Sequence, residues 1–408
     1  MKKLIILLAG VVLWGLPLHA QDGAGGQKPV KVKPTVGVHG RIQYDYEFLR
    51  QDNGIDTIEN YKMSGSEFRR VDLAFSGTIY KNIKFKSMFE FAGSKVGFRD
   101  LYIKFVDLPG IGGNFLVGSI AEPTGIDMLT SSKYIPMMER AMLTHTQNFR
   151  WNSGIMYANT GLADGRMGLQ LSYTHNGDNH GGFKDHNLDA GGHFVARISG
   201  SPYSNEDNHS VLHLGAKFES RKRSKEPAEY TLKFKPENHM GNKIAVPIPG
   251  LLKNQQDIGF ELAGVFGPFS FQGEYEVAGY NAVKEEDRNT TTKYNVNGYY
   301  ALVSYFIGGQ RHYKHGAFSR PRVYSNFCVR ESTWGALELV ARYSAMDYSS
   351  IVEGDYYNKV STIGIGLNWY FNDHARLMYN HVIADRNKKD DDPSKALNAD
   401  MLRLAINF

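Results

Sequence analysis

Residues 83–91 read IKFKSMFEF, and this stretch decides the fold. Apolar or small side chains occupy positions 83, 85, 87, 89 and 91, whereas Lys84, Lys86, Met88 and Glu90 occupy the other phase. A period of two residues is that of a β-strand, whose successive side chains point to opposite faces. The stretch therefore predicts a strand with one apolar face and one mostly polar face.

The same alternation recurs along the chain. Examples are Val71, Leu73 and Phe75; Leu212, Leu214 and Phe218; Ile363, Ile365, Leu367 and Trp369; and Leu402, Leu404 and Ile406. The segments run longer than the ~5–6 residues of a soluble β-sandwich, which also alternates. Tight turns and long polar loops alternate as the connections between these segments. This is the pattern of a transmembrane antiparallel β-barrel, with lipid outside and a polar lumen inside.

The composition agrees with this all-β class. The chain has 24 Tyr, 23 Phe and 4 Trp beside 43 Gly, which favour strands and turns, and its single cysteine excludes an internal disulfide framework. Past the N-terminus there is no apolar run near the ~20 residues that a spanning helix needs.

The N-terminus predicts export. Lys2 and Lys3 precede an apolar run at residues 4–18, and His19-Ala20 before Gln21 fits a cleavage site, so we expect a signal peptide at residues 1–20. A periplasmic linker at 21–35 and a barrel at 36–408 would follow, in the outer membrane of a Gram-negative bacterium. Cleavage lowers the formal net charge from +5 to +3, which does not favour a nucleic-acid partner.

Sixteen alternating segments can be placed between residues 36 and 408. Tight connections such as 81–82, 267–268 and 372–374 fall at every second junction, and an even count puts both termini on the periplasmic side. Residues 308–333 are predicted to be a long periplasmic excursion, because Pro321 would interrupt further barrel strands. Sixteen strands leave an aqueous channel.

The strand phase predicts which charges face that channel. The basic set comprises Arg41, Arg70, Lys84, Lys86, Lys104, Arg197, Lys217, Arg342, Arg376 and Arg403. The acidic set comprises Asp45, Glu47, Glu90, Glu261, Glu274, Glu276 and Glu338. Rings of Arg or Lys favour anions, but a mixed polar lumen with local salt bridges is the competing interpretation.

Two loops shift the balance toward anions. The first, between the segments ending near 119 and starting near 153, lacks alternation and is long enough to fold inward as a constriction. The second, at about 220–255, carries many lysines and arginines and few acids. It is either a solvated basic loop or an electrostatic funnel that concentrates anions at the mouth.

Several of these residues resemble the phosphate-selective porin O and P family. The resemblance is carried by Glu67-Phe68-Arg69-Arg70, by Glu122-Pro123, by Thr130-Ser131-Ser132-Lys133-Tyr134 and by Met138-Glu139-Arg140, together with the closing strands. One departure is Ala121, where many members carry a lysine. The likeness implies a sixteen-stranded trimeric barrel in which arginines lead phosphate to a constriction.

The likeness also implies which residues act. The candidates for anion binding at the constriction are Arg69, Arg70, Lys133, Arg140 and Arg150. The candidates for guiding anions in the loops and lumen are Arg221, Arg223, Arg41, Arg197 and Arg342.

We therefore expect a passive channel for phosphate or related oxyanions, with no cofactor, metal or catalytic site. No nucleophile elbow, phosphate-binding loop or zinc-protease helix occurs. His175, Asp178, His180, Asp185 and His186 match no familiar metal spacing. A general solute porin is the main alternative, and a barrel phospholipase or a surface adhesin are the others.

Overall fold

The structure, a computed structural model, describes residues 33–51, 61–94, 96–146, 151–175, 191–205, 209–222, 224, 226–352, 357–388 and 395–408. The predicted signal peptide and all of the predicted linker except residues 33–35 lie outside this range. Both therefore remain predictions.

Sixteen antiparallel strands close into one barrel, as the alternation predicted. In chain order they are β1 (Thr35–Gln51), β2 (Tyr61–Tyr80), β3 (Ile83–Glu90), β4 (Gly97–Val106), β5 (Asn114–Ala121), β6 (Trp151–Leu162), β7 (Met167–His175), β8 (Gly192–Asn205), β9 (Ser210–Arg221), β12 (Leu251–Phe266), β13 (Phe269–Val283), β14 (Thr291–Ile307), β19 (Ala336–Asp347), β20 (Tyr357–Tyr370), β21 (Ala375–Lys388) and β22 (Lys395–Asn407). The skipped numbers belong to short strands outside the barrel, whose bounds are given below.

The first and last strands close the barrel. β1 pairs with β22 from Arg41 opposite Asn407 to Gln51 opposite Leu397. On β22, Leu402 and Leu404 are each 43% exposed on the outer face, whereas Arg403 between them is fully buried on the inner face. Closure leaves no open strand edge, and the alternation separates a lipid-facing surface from a charged lumen, as predicted.

One rim of the barrel carries the short turns. Residues 81–82, 163–166, 267–268 and 371–374 connect strands there, and both ends of the barrel sheet, Thr35 and Asn407, lie at the same rim. Short turns mark the periplasmic end of a bacterial outer-membrane barrel. Among the described residues, no helix is both long and apolar enough to cross a membrane.

Described parts of three connections fold into the lumen. The first insert, residues 122–150, contains the short helices α1 (Ile126–Leu129) and α2 (Met142–Thr146). The second insert, residues 222–250, contains the hairpin of β10 (Thr231–Phe234) and β11 (Ile244–Pro247). The third insert, residues 308–335, contains the hairpin of β15 (Gly309–Lys314) and β16 (Ala317–Val323), followed by β17 (Phe327–Cys328) and β18 (Thr333–Trp334). A single-turn 3-10 helix at Ala92–Ser94 lies in another connection.

The first two inserts share an apolar core with the barrel wall. Met138 and Leu143 of the first insert pack with Leu232 and Phe234 of the second, and all four are nearly inaccessible to solvent. Burial of such side chains stabilises by roughly 1.5–3 kcal/mol each. The second insert is thus anchored by its alternating apolar residues, while Lys233 between them stays exposed.

The third insert enters the lumen from the periplasmic rim. The Arg311 guanidinium donates to Glu338 of β19 at 2.7 and 2.8 Å, and the Phe318 N–H donates to Thr130 Oγ1 of the first insert at 3.2 Å. The prediction that residues 308–333 add no strand to the barrel is right. The structure adds that they form a separate hairpin, with Pro321 inside β16 where no barrel neighbour needs its missing N–H.

Candidate anion-binding site

Glu139 of the first insert is the centre of a buried ion cluster. Arg69 donates to both of its carboxylate oxygens at 2.9 Å, and Arg403 donates to one at 2.9 Å. Arg70 lies 4.0 Å away and donates to Gln43 at 2.9 Å. Burial alone would raise the pKa of Glu139, but the three guanidiniums hold that pKa well below its usual value. The predicted site residues Arg69 and Arg70 therefore hold the insert against the wall.

Two further predicted arginines are also paired with carboxylates. Arg41 pairs with Asp72 and donates to Ser132. Arg140 lies 3.5 Å from Asp127 within the first insert and donates to the carbonyl of Thr130 at 2.7 Å. Of these two, Arg41 connects the barrel wall to the first insert.

The predicted guide arginines show the same pattern. Arg197 donates to Glu261 at 2.7 and 2.6 Å. Arg221 pairs with Glu219 and lies 3.3 Å from Glu122.

Arg342 is the remaining described arginine among the candidates. It donates to Glu237 of the second insert at 3.1 Å and to the carbonyl of Glu139 at 2.9 Å. Arg150 and Arg223 lie outside the described residues. The residues Asp178, His180, Asp185 and His186, which match no familiar metal-site spacing, also lie outside the described residues. The roles predicted for the residues outside the described range remain predictions. The described arginines show that positive charge at the centre of the lumen is balanced by nearby carboxylates.

A different arrangement lines a cavity of about 720 Å³ near the periplasmic rim. We call it the lysine cavity, and its basic lining residues are His39, Arg41, Lys84, Lys86, Lys104, Lys133 and Arg320. Asp100 is the one acid among its lining residues in the described part of the chain. Unlike the arginine clusters, this cavity has far more positive than negative side chains.

Lys84 and Lys104 face each other across β3 and β4. Their Cα atoms are direct partners in the strand register, and both side chains point to the lumen. Like charges at directly opposed positions destabilise a sheet. An anion held between them would remove that repulsion.

Lys133 brings a cation from the first insert to the same cavity. Its ammonium donates to the carbonyl of Gly40 at 2.8 Å, which fixes the side chain against β1. Burial, together with the nearby charges of Arg41 and Lys86, lowers the pKa of Lys133 to about 8. Of the predicted constriction residues that the structure describes, Lys133 is the one that lines the lysine cavity, where positive side chains outnumber negative ones.

Lys86 forms an ion pair within the lining itself. Its ammonium lies 2.5 Å from Asp100, which also accepts from the indole N–H of Trp151 at 3.1 Å. Both carboxylate oxygens of Asp100 therefore already have a partner, and its negative charge balances that of Lys86.

Sequence reasoning placed Lys84, Lys86 and Lys104 in the lumen but did not single them out. Alternation indicated that these side chains face the lumen, but the pairing of Lys84 with Lys104 depends on the register of β3 and β4, which alternation does not give. Arg320 and His39 were missed. Arg320 reaches the cavity only because the third insert folds back into the lumen, which no local pattern indicated.

One carboxylate group meets the geometry of a metal site. Oxygens of Asp45, Glu47 and Glu67 lie within 4.8 Å of one another. Each already has a protein partner: Arg403 donates to Asp45, His239 pairs with Glu67, and backbone N–H groups of the second insert donate to Glu47. The group therefore attaches the second insert to β1 and β2.

Comparisons with known proteins agree with this architecture. The family model described as phosphate-selective porin O and P matches residues 36–408. Porin O of Pseudomonas aeruginosa is 25% identical over 385 residues, covering 86% of this chain and 82% of that protein.

Solved structures share the fold at low identity. The anion-selective porin from Comamonas acidovorans is 13% identical with a TM-score of 0.54, covering 92% of this chain and all of that one. The trimer form of OmpT from Vibrio cholerae is also 13% identical, with a TM-score of 0.54 and the same coverage.

Proposed function

The chain belongs to the phosphate-selective porin O and P family, as its sequence predicted, and is an outer-membrane porin; we propose that it conducts anions, and that the lysine cavity is where they bind. Phosphate and related oxyanions are the leading cargo. The observation that carries the proposal is the opposed pair Lys84 and Lys104, with Lys133 and Arg320 lining the same cavity.

The chemistry of permeation favours this cavity over the arginine clusters. An anion that enters a narrow lumen loses water, and fixed donors must replace that hydration. Lysine supplies a mobile point charge with three donors, whereas the charge of a guanidinium that is bidentate to a carboxylate is already balanced by that carboxylate. Conduction also requires weak, multiple sites, which several separate lysines provide.

The arginine clusters have a different task in this proposal. They fix the three inserts to the wall and so determine the width of the lumen. The predicted guide and constriction roles of Arg150 and Arg223 stay open as parts of the same proposal.

Current block by phosphate tests the proposal. In planar bilayers with chloride as the main carrier, phosphate that occupies the lysine cavity reduces the chloride current. Lys133→Gln removes one cation and is expected to weaken this block about tenfold, equivalent to ~1.4 kcal/mol. Lys233→Gln is the matched control, since Lys233 is exposed and lies outside the cavity lining. An unchanged block in Lys133→Gln would overturn the assignment.

The same recordings address the alternatives. A general solute porin would conduct without phosphate block and without anion preference. Family membership indicates a channel rather than an enzyme, and a detergent-solubilised phospholipase assay is expected to show no turnover. An adhesin without a transport role would show no conductance.

We also propose that the protein is a homotrimer in outer-membrane lipid. OmpT of Vibrio cholerae, which shares the fold, has a trimer form. Native mass spectrometry of detergent-extracted protein is expected to give three times the mass of the mature chain. A monomer mass alone would contradict this.

A further inference from the structure

The last part of the third insert leaves the lumen and lies against the barrel at its periplasmic rim. In this part β17 and β18 form a short hairpin, in which Phe327 pairs with Trp334 and Cys328 pairs with Thr333. The N–H of Phe327 donates to the carbonyl of Phe371, in the turn between β20 and β21, at 2.7 Å. A backbone hydrogen bond therefore fixes the hairpin to the rim.

Ring contacts show on which side of the wall the hairpin lies. The ring centroid of Phe327 is 5.2 Å from that of Trp369 and 5.8 Å from that of Phe371. Trp369 shares its strand phase with Ile365 and Leu367, which are exposed on the outer face of β20. Because Phe327 packs on a side chain of the outer phase, the hairpin lies outside the barrel, beside its lipid-facing surface.

The hairpin turns polar groups toward protein and apolar side chains away from it. The indole N–H of Trp369 donates to the carbonyl of Trp334 at 2.7 Å, and the hydroxyl of Thr333 donates to the carbonyl of Asn326 at 2.6 Å. The side chain of Trp334 is nevertheless 73% exposed, and that of Val329 at the tip is 78% exposed. Large apolar side chains exposed together on one short segment mark an interaction surface.

The composition of the segment indicates what it contacts. Between Tyr324 and Gly335 the charged residues are Arg330 and Glu331, which are adjacent, exposed and opposite in sign. The exposed ring of Tyr324 lies 5.9 Å from the guanidinium of Arg322. Trp and Tyr, whose rings are apolar and whose N–H and O–H groups are polar, are enriched where acyl chains meet headgroups. A neutral aromatic segment beside the lipid-facing wall therefore fits a membrane surface.

We propose that residues 324–335, which we call the aromatic hairpin, bind the periplasmic leaflet of the outer membrane. Val329 and Trp334 enter the region between the phospholipid headgroups and the upper acyl chains, and Arg330 and Glu331 stay among the headgroups. The lipid-facing surface of β20 continues into the aromatic hairpin through Trp369, and this continuity is the main argument for lipid as the partner. The proposal does not depend on which solute the channel conducts.

The arrangement gives the third insert two different environments. Its β15–β16 hairpin lies in the lumen, where Arg311 donates to Glu338 and Arg320 lines the lysine cavity. Its aromatic hairpin lies outside the wall, where it packs on Trp369. The insert is thus attached to both faces of the barrel.

Quenching of Trp334 fluorescence by brominated lipid tests the proposal. The chain has four tryptophans, so Trp14→Phe/Trp151→Phe/Trp369→Phe leaves Trp334 as the only one. This variant is reconstituted in phosphatidylcholine vesicles whose acyl chains carry bromine either close to the headgroup or near the chain end. We expect bromine close to the headgroup to lower the emission at least about twofold relative to unbrominated lipid, because interfacial tryptophans lie at headgroup level. Bromine near the chain end should lower it less.

Trp151 provides the matched control. Its indole N–H donates to Asp100 at 3.1 Å and its side chain lines the lysine cavity inside the lumen. Trp14→Phe/Trp334→Phe/Trp369→Phe therefore keeps a tryptophan that lipid does not reach, and its emission should be equal in all the vesicles. An equal loss of emission for Trp334 and Trp151 would count against the proposal.

Two further results would overturn it. If dissolved acrylamide quenches Trp334 and brominated lipid does not, the aromatic hairpin lies in the periplasmic solution. If neither quencher reaches Trp334, protein covers the aromatic hairpin, either a second copy of the chain or another part of the same chain.

A label on Cys328 keeps the test available if the tryptophan variants do not fold. Cys328 is the only cysteine of the chain and lies on β17, so a nitrobenzoxadiazole group attached to it reports on the aromatic hairpin in the otherwise unchanged protein. Nitroxide-labelled phospholipid should quench this label. Quenching by a water-soluble cobalt complex alone would contradict the lipid contact.

Discussion

The centre of the lumen and its periplasmic end are both rich in basic side chains, yet they differ in what those side chains face. At the centre Arg403 donates to Asp45 at 2.7 and 2.6 Å and is fully buried. At the periplasmic end Lys84 of β3 lies directly opposite Lys104 of the neighbouring strand β4. We therefore place the proposed anion site where basic side chains outnumber carboxylates, and not simply where basic side chains are most numerous.

The two arrangements also have opposite energetic consequences. Removal of one partner from a buried ion pair lowers the stability of the protein, because the remaining charge is then buried without a counter-charge. Two opposed lysines lower the stability of the empty channel through their mutual repulsion, and a bound anion would reduce that repulsion. In our proposal, the centre therefore determines the shape of the lumen and the periplasmic end binds anions.

The largest expected effect comes from breaking the centre. Glu139→Gln leaves Arg69 and Arg403 with one fewer buried counter-charge, and removal of one partner from such a cluster costs about 3–5 kcal/mol. We expect the folded barrel in detergent to unfold at a lower temperature, measured by its gel mobility after heating. Glu331→Gln, at an exposed position of the third insert, is the control. Equal unfolding temperatures for the two variants would show that the cluster does not hold the first insert.

A smaller effect is expected from titrating the periplasmic end. The Lys133 ammonium, with its pKa lowered to about 8, is charged below that pH and loses its proton as the pH rises through it. Sulfate block should therefore be full near neutral pH and weaken severalfold by about pH 9, well below the ordinary lysine value.

Lys133→Arg provides the control for this titration, because arginine stays charged throughout. Block in this variant should change less between the two pH values than in the wild type. The same pH dependence in both proteins would assign the titration to another group.

The smallest expected effect is a gain. Ala121 lines the lysine cavity at the position where the sequence departs from many family members. Ala121→Lys adds a cation to a cavity that already holds several, so we expect phosphate block to strengthen about threefold, ~0.7 kcal/mol. Ala121→Gln controls for side-chain size. A block as weak in Ala121→Lys as in Ala121→Gln would mean that position 121 does not face the permeating anion.

The sequence predicted the barrel because period-two alternation is a local property. Leu402 and Leu404 against Arg403 already state which face meets lipid, and the structure confirms that assignment. Strand phase also predicted that Lys84 and Lys104 face the lumen.

Strand phase could not predict the ion pairs in the lumen, because the partners lie in inserts that are distant in the sequence. Phase shows that Arg342 points inward, but its carboxylate partner Glu237 lies 105 residues away in the second insert. Glu139 reaches Arg69 across 70 residues. The second insert was interpreted from its lysines as a solvated loop or funnel, whereas Leu232 and Phe234 fold it into the lumen.

The reversal potential in planar bilayers under a KCl gradient tests the central claim most directly, with two double variants compared. Lys84→Gln/Lys104→Gln removes two cations that face each other, while Arg197→Gln/Glu261→Gln removes a buried pair without changing the net charge. We predict that the lysine variant moves the reversal potential toward that of a cation-permeable channel and that the pair variant keeps the wild-type value. A shift in the pair variant together with an unchanged lysine variant would contradict the account.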